Sequence, residues 1–318
     1  MAKFRWAYIG CGSIADKTAK SILKGEHKIV TVYSRNYEKA KAFAAKHGGR
    51  ACKSAVEAIC FDSVDAVYIA TPHTSHVEYS LIALKNKKPV LCEKPVGISA
   101  KDVELLIEAA KENDTYFAEA MWSWFSDTSL TLKRWIDTGK IGRVQKVKIH
   151  HEYPGLKKKP DSRVLDPMTA GGALLDIGIY PITYCYNLFG VPDKIVCEGV
   201  LEGGIDIKEN ITLHYGTMQC ELHISFERLN ESFVAEGTEG KIHLPMFHVA
   251  PAVILKGKKM NRVAFGKTTY LNEFDRVAEE IRQGKKQSDY IPFESTLQCM
   301  KIMDECRQQL GLKYPMEV

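Results

Sequence analysis

The chain has 318 residues, 45% hydrophobic and 26% charged, with a net charge of +5. That balance excludes a disordered or fibrous chain, and the length predicts two domains rather than one. No apolar run reaches the roughly 20 residues that span a bilayer, and Met1-Ala2-Lys3-Phe4-Arg5 lacks a signal-peptide core, so no membrane partner and a cytoplasmic location are expected.

Through residue 121, apolar runs alternate with amphipathic segments, the pattern of a parallel sheet wrapped by helices. Strands are predicted over 4–9, 29–34, 64–70, 89–92 and 115–120, and helices over 13–24, 36–47, 74–86 and 99–113. Asn36 reads as an N-cap, Gly48-Gly49 as a stop, and Ser54 with Glu57 as a capping box for a short helix. A helix over 126–138 follows, and from Arg143 onward the chain alternates at period two. In residues 218–226 the alternation is complete, with Met218, Cys220, Leu222, Ile224 and Phe226 against Gln219, Glu221, His223 and Ser225. Similar runs at 194–201, 207–215, 241–244 and 253–255 predict an open sheet of five or six strands whose polar outer face suits a dimer contact. Helices over 270–283 and 295–310 close the chain. The predicted fold class is α/β. A Rossmann doubly wound parallel sheet over 1–121 binds a nucleotide, and an α+β domain over 122–318, with a large open, mostly antiparallel sheet, serves substrate binding and dimerisation.

The first chemical signal is Gly10-Cys11-Gly12-Ser13-Ile14-Ala15, a G-x-G-x-x-A set between a predicted strand and a predicted helix. Gly10 permits the tight turn, Gly12 removes a side chain that would block a pyrophosphate, and Ala15 lets helix pack on strand. The N–H groups at the helix start, from Ser13 and Ile14 onward, face the phosphates. At the end of the second strand, where an acid would bind the ribose hydroxyls of NAD, the chain has Ser34-Arg35-Asn36, with Lys39 a turn later. Ser34 and Arg35 suit a 2′-phosphate, so NADP(H) is favoured over NAD(H). The competing reading of Arg35 is a solvated loop arginine.

The second signal is Glu93-Lys94-Pro95, where a strand delivers a lysine to the carboxyl edge of the parallel sheet. The third is Gly171-Gly172-Ala173-Leu174-Leu175-Asp176-Ile177-Gly178-Ile179-Tyr180. Read as a helix, it puts Asp176 and Tyr180 on one face, with Pro181 a potential kink. With Lys94 they make a proton-transfer set: Tyr180 exchanges the hydroxyl proton, the Lys94 ammonium favours the phenolate, and Asp176 orients substrate or lysine. A tyrosine packed in a helix is the competing reading.

Other signals are discounted. His150-His151 lies on an alternating strand, so its rings face opposite sides and cannot chelate one ion together; no metal is expected. The nine cysteines contain no C-x-x-C pair, which argues against a disulfide framework and for reduced thiols. Lys157-Lys158-Lys159 lacks the interleaved aromatics of a nucleic-acid surface, so no nucleic-acid partner is expected.

The whole chain resembles the glucose-fructose oxidoreductase, inositol dehydrogenase and MocA family, and within it the dimeric dihydrodiol dehydrogenase and D-xylose dehydrogenase branch. The matching stretches are residues 10–15, Ala70-Thr71-Pro72-His73 with His76, Cys92-Glu93-Lys94-Pro95, Glu119-Ala120-Met121-Trp122, and Arg163-Val164-Leu165-Asp166-Pro167 running into residues 170–181. The resemblance implies a small-molecule NADP-dependent oxidoreductase acting on a sugar, polyol or cyclic trans-diol, and a homodimer through the C-terminal sheet. It also implies that Lys94 and Tyr180 are catalytic with Asp176 assisting, and that Thr71, Pro72, His73, His76, Glu93 and Pro95 line the cofactor. Trp122, Trp124 and Arg163 are candidate substrate contacts. Trp122-Ser123-Trp124-Phe125 departs from the branch, which carries an arginine before the phenylalanine. The alternative function is an NADPH-binding redox sensor without turnover.

Overall fold

A computed structural model describes residues 2–158, 162–258 and 260–317. Lys159 and Pro160 lie outside the described residues. By its contacts the chain divides into two compact units, Met1–Trp122 with Thr269–Glu294, and Ser123–Thr268 with Ser295–Val318. The sequence reading assigned all of 122–318 to one domain, whereas by contacts Thr269–Glu294 groups with the first unit.

The first unit contains β1 (Phe4–Ile9), α1 (Ser13–Ile22), β2 (His27–Tyr33), α2 (Tyr37–His47), β3 (Arg50–Cys52), α3 (Ala55–Ile59), β4 (Ala66–Ile69), α4 (His76–Lys85), β5 (Val90–Glu93), α5 (Ala100–Glu112) and β6 (Phe117–Ala120). All six strands are parallel, in the order β3-β2-β1-β4-β5-β6. This is the doubly wound Rossmann order, in which the sheet reverses direction between β1 and β4 and opens a crevice at their carboxyl ends. Strands β4, β5 and β6 are buried at every position, as apolar runs covered on both faces should be. Helix starts follow their caps. Asn36, Ser54 and Ser99 accept the backbone N–H of Lys39, Glu57 and Asp102 at 3.1, 3.1 and 3.3 Å. Each such cap is worth about 1 kcal/mol over alanine. The helix predicted over 74–86 begins later, at His76, because residues His73–Ser75 form a separate 3-10 turn.

The second unit contains α6 (Asp127–Asp137), β7 (Val144–Glu152), a π-helical turn (Leu174–Gly178), α7 (Ile179–Phe189), β8 (Lys194–Glu202), β9 (Ile205–Tyr215), β10 (Met218–Ser225), β11 (Asn230–Gly237), β12 (Gly240–Pro245), β13 (Ala252–Gly257) and β14 (Asn261–Phe265). Helix α8 (Tyr270–Arg282) returns to the first unit, and α9 (Phe293–Leu310) runs almost wholly in the second.

The eight strands run in the order β14-β13-β12-β11-β7-β10-β9-β8. Every pairing is antiparallel except β7 with β10. Cys220, Leu222 and Ile224 are buried while Gln219, Glu221 and His223 reach solvent, as period two predicts, and only Ser225 at the strand's end departs from the pattern by being buried. The sheet is larger than the predicted five or six strands. The additional strands are β11 and β14, whose sequences Asn-Glu-Ser-Phe-Val-Ala-Glu-Gly and Asn-Arg-Val-Ala-Phe carry too short an apolar alternation to announce themselves. Among the described residues, no helix is long and apolar enough to cross a membrane.

Candidate active site

The glycine turn sits where β1 meets α1. Gly10 has a φ of +106°, and a Cβ there would lie 2.4 Å from the Ala70 carbonyl oxygen at the end of β4, so only glycine closes this turn. Gly12 is different: it caps α1 in extended conformation without a side-chain capping bond, and a Cβ on it would meet no atom within 4 Å. The protein itself gives no reason for glycine there, whereas a pyrophosphate approaching the uncapped N–H groups of α1 does.

A second sign of a missing polar neighbour is the hydroxyl of Thr71, buried with no hydrogen-bond partner among the described residues. Ser34 is half-buried and Arg35 exposed at the end of β2. Burial pushes the Cys11 thiol up to about 11, against the opposing charge of Lys39. These groups fit a phosphorylated dinucleotide.

The lysine turn is built on a buried scaffold. Lys94 directly follows β5 and is half-buried, and the Lys94–Pro95 peptide is cis. The His76 ring ties this turn to the end of β4, with Nδ1 2.8 Å from the Pro95 carbonyl oxygen and Nε2 2.8 Å from that of Thr71. Glu93 is buried and accepts the Tyr68 hydroxyl at 2.5 Å. Val96 N–H donates to Glu119, also buried.

Beneath them Glu273 of α8 is wholly buried, and neither carboxyl oxygen has a hydrogen-bond partner among the described residues. Burial, and then the charge of Glu93, push the Glu273 carboxyl well above its usual value of 4.5. A raised carboxyl contributes most below its unfolded pKa, and that contribution is lost as pH rises toward the folded one. Thermal unfolding followed by circular dichroism between pH 5 and 8 should therefore show Glu273→Gln removing a downward slope of up to about 1.4 kcal/mol per pH unit. A wild-type slope that the variant leaves unchanged would refute this assignment.

In the second unit, the glycine-rich segment begins with a constraint. Gly172 has a φ of +122°, and a Cβ there would lie 2.1 Å from Asp206 Oδ1. Asp206 is wholly buried and accepts the Leu174 N–H at 2.5 Å, anchoring the π-helical turn. Burial raises its pKa.

The predicted single helix is thus a π turn followed by α7, with Asp176 in the former and Tyr180 in the latter. Asp176 accepts from Arg163 at 2.8 Å, so two residues of the predicted site form one ion pair. Tyr180 is 7% exposed, and its ring lies 5.3 Å from that of His151 and 5.7 Å from that of His248, centroid to centroid. His150 points the other way and stacks on His223 at 4.6 Å.

Sequence reasoning did not single out Glu231 or His248. His248 donates both its backbone N–H, at 2.8 Å, and Nδ1–H to Glu231 Oε1. Burial alone would raise the Glu231 carboxyl, but His248 and the charge of His151 hold it below its usual value. No local spacing links these residues; their meeting depends on strand pairing.

Of the tryptophans, Trp122 packs face-tilted on Tyr270 at 4.5 Å within the first unit. Trp124 is 2% exposed and edge-on to Tyr184 at 4.9 Å within the second, a core position.

Comparison with known proteins agrees with this architecture. Residues 4–120 match the model of the oxidoreductase family with an NAD-binding Rossmann fold, and residues 129–243 match the GFO/IDH/MocA C-terminal domain. The chain is 31% identical to scyllo-inositol 2-dehydrogenase (NADP(+)) IolU of Bacillus subtilis and 30% identical to trans-1,2-dihydrobenzene-1,2-diol dehydrogenase of Danio rerio, in each case over 98% of both chains. Among solved structures it superimposes on KijD10, a 3-ketoreductase from Actinomadura kijaniata in complex with NADP and TDP-benzene, with a TM-score of 0.86 at 22% identity over 96% of this chain and 98% of that one. Aldose-aldose oxidoreductase from Caulobacter crescentus gives a TM-score of 0.88 at 19% identity, over 97% and 98%. The chain belongs to the GFO/IDH/MocA family of oxidoreductases. It is an NAD(P)-dependent dehydrogenase acting on CH–OH groups.

Proposed function

We propose that this protein is an NADP-dependent oxidoreductase that moves a hydride between the nicotinamide and a carbinol or carbonyl carbon of a sugar, polyol or cyclic trans-diol. The observation that carries the reading is the uncapped start of α1 behind Gly12, with Ser34 and Arg35 at the end of β2 and no carboxylate there. The NADP(+) in the name of the Bacillus relative supports the cofactor, and the inositol and dihydrodiol substrates in the relatives' names support the substrate class.

Residues Gly10, Gly12, Ser13 and Ile14 hold the pyrophosphate through the backbone. Ser34, Arg35 and Lys39 hold the 2′-phosphate, and Thr71, Pro72, His73, His76, Glu93 and Pro95 shape the nicotinamide end. The bound coenzyme supplies the hydride chemistry; protein groups supply position and proton transfer. Tyr180 gives or takes the hydroxyl proton, and the Lys94 ammonium favours the ionised phenol. Asp176, held by Arg163, orients the substrate, and Trp122 gives it an aromatic surface. The polar face of the eight-stranded sheet, carrying Lys148, His150 and His223, supports a homodimer, and scattered cysteines with no C-x-x-C pair suit a reducing cytoplasm.

The test is fluorescence titration with NADPH and NADH, alongside an absorbance assay of aldoses, polyols and trans-diols with each oxidised cofactor. Arg35→Ala should raise the Kd for NADPH about 10- to 100-fold, the worth of charge-assisted hydrogen bonds, and leave NADH within about threefold. Equal losses for both cofactors would remove Arg35 from phosphate recognition.

A further inference from the structure

We propose that His151, Glu231 and His248 form a binding site for a divalent transition-metal ion of the zinc class. The inference stands apart from the redox reading, because it rests only on the second unit. An imidazole nitrogen from each histidine and a carboxylate oxygen from Glu231 all lie within 4.8 Å of one another. The grouping is built by the sheet. His151 on β7 and Glu231 on β11 are directly opposed in the antiparallel register, which sets their side chains on the same face. Met246, in the left-handed region at φ 49°, then turns the chain after β12 so that the 3-10 segment Phe247–Val249 brings His248 onto Glu231.

His151 carries the orienting contact expected of a ligating histidine, and His248 is already turned onto its co-ligand Glu231. His151 Nδ1–H donates to the Ile177 carbonyl oxygen at 2.9 Å, and His248 Nδ1–H donates to Glu231. The bond to Ile177 makes Nε2 the lone-pair nitrogen of His151, whereas at His248 the ion takes the place of the proton between Nδ1 and Glu231. The surroundings are apolar and aromatic: the rings of Phe247 and Tyr180 lie edge-on to His151 at 5.1 and 5.3 Å. His151 and Glu231 are nearly enclosed, whereas the His248 side chain is 26% exposed, which gives an ion its way in.

Two imidazoles and a carboxylate are a borderline-soft donor set, suited to zinc and poorly suited to magnesium or calcium, which take oxygen ligands. A tetrahedral zinc with bonds of about 2.1 Å holds its ligand atoms about 3.4 Å apart, so on binding the widest separations close by roughly an ångström while His248 and Glu231 part to admit the ion. Three ligands leave the fourth position open. The sequence-based expectation of no metal considered only His150 with His151. Those two rings do part to opposite faces, but the partners of His151 lie far away in the chain.

The experiment uses the full-length protein, stripped with EDTA and dialysed, then titrated with zinc by calorimetry and with cobalt by visible absorption. The expected result is one equivalent of zinc per chain and a cobalt spectrum without a thiolate charge-transfer band. Binding should weaken more than about tenfold in His248→Ala and in Glu231→Gln. His248→Ala alters a partly exposed side chain, and an unchanged melting temperature confirms its fold. Absence of stoichiometric binding by the wild-type chain overturns the proposal whatever the variants do. So does a thiolate band, which would assign the ion to cysteines, or undiminished binding in both variants.

Discussion

Replacing Tyr180 by phenylalanine is expected to lower kcat by about 10²- to 10⁴-fold, the usual worth of a positioned general acid or base, while the Kd for NADPH stays within about twofold. The substitution removes one oxygen from a ring packed beside His151 and His248, so the packing that places α7 survives. The π turn ahead of it is held separately, by the Asp206 bond to Leu174 N–H. An effect on melting temperature should therefore be small, and the loss should appear in turnover. A free phenol titrates near pH 10, so the wild-type rate needs a neighbouring cation to work close to neutrality. Stopped-flow turnover beside an NADPH fluorescence titration separates the two quantities. Undiminished turnover would end the assignment of Tyr180 as the proton carrier.

Lys94→Met should produce a loss of similar size, about 10²- to 10⁴-fold in kcat, for a different structural reason. Methionine keeps the length and apolar stem of lysine and deletes the ammonium. The turn itself is held by groups other than Lys94: His76 against the carbonyls of Pro95 and Thr71, and Glu93 against Tyr68. NADPH affinity should fall far less than turnover. The informative measurement is the double variant. If the ammonium acts through the phenol, Lys94→Met combined with Tyr180→Phe should be no more than about tenfold worse than either single variant, as for residues that act as a unit. Losses that multiply would show that the lysine and the tyrosine act independently.

Much of the first unit was legible because its signals are local. The caps Asn36, Ser54 and Ser99 each satisfy a backbone donor three residues ahead, so the side chain that starts the helix lies beside the helix it starts. The apolar runs of β4 and β5 reflect burial on both faces, which a linear pattern records directly. Gly10 is required by a clash with Ala70, and the strand–glycine–helix order was a sufficient clue to it. The second unit was read less completely. Strand β11 carries only a short apolar stretch and becomes a strand through its neighbours β7 and β12. The parallel pairing of β7 with β10 joins segments about 70 positions apart, and no local pattern encodes it.

Asp176 shows the same division within one site. Its spacing from Tyr180 suggested a shared α-helical face, but the first turn is π-helical, with its Leu174 N–H held by the buried Asp206, and Arg163 takes the Asp176 carboxylate. Glu231 and His248 went unnoticed for the reason that β11 did.

Composition, periodicity and the spacing of a few glycines, caps and charged residues were enough to establish the α/β class, the nucleotide turn and the residues worth testing, since each depends on interactions between near neighbours in the chain. Only the folded chain decided which distant side chains meet: Arg163 with Asp176, and His151 with Glu231 and His248. The second meeting is set by strand register and by a left-handed turn at Met246, and the free energy that selects it comes from burying a whole sheet face, which no single segment contains.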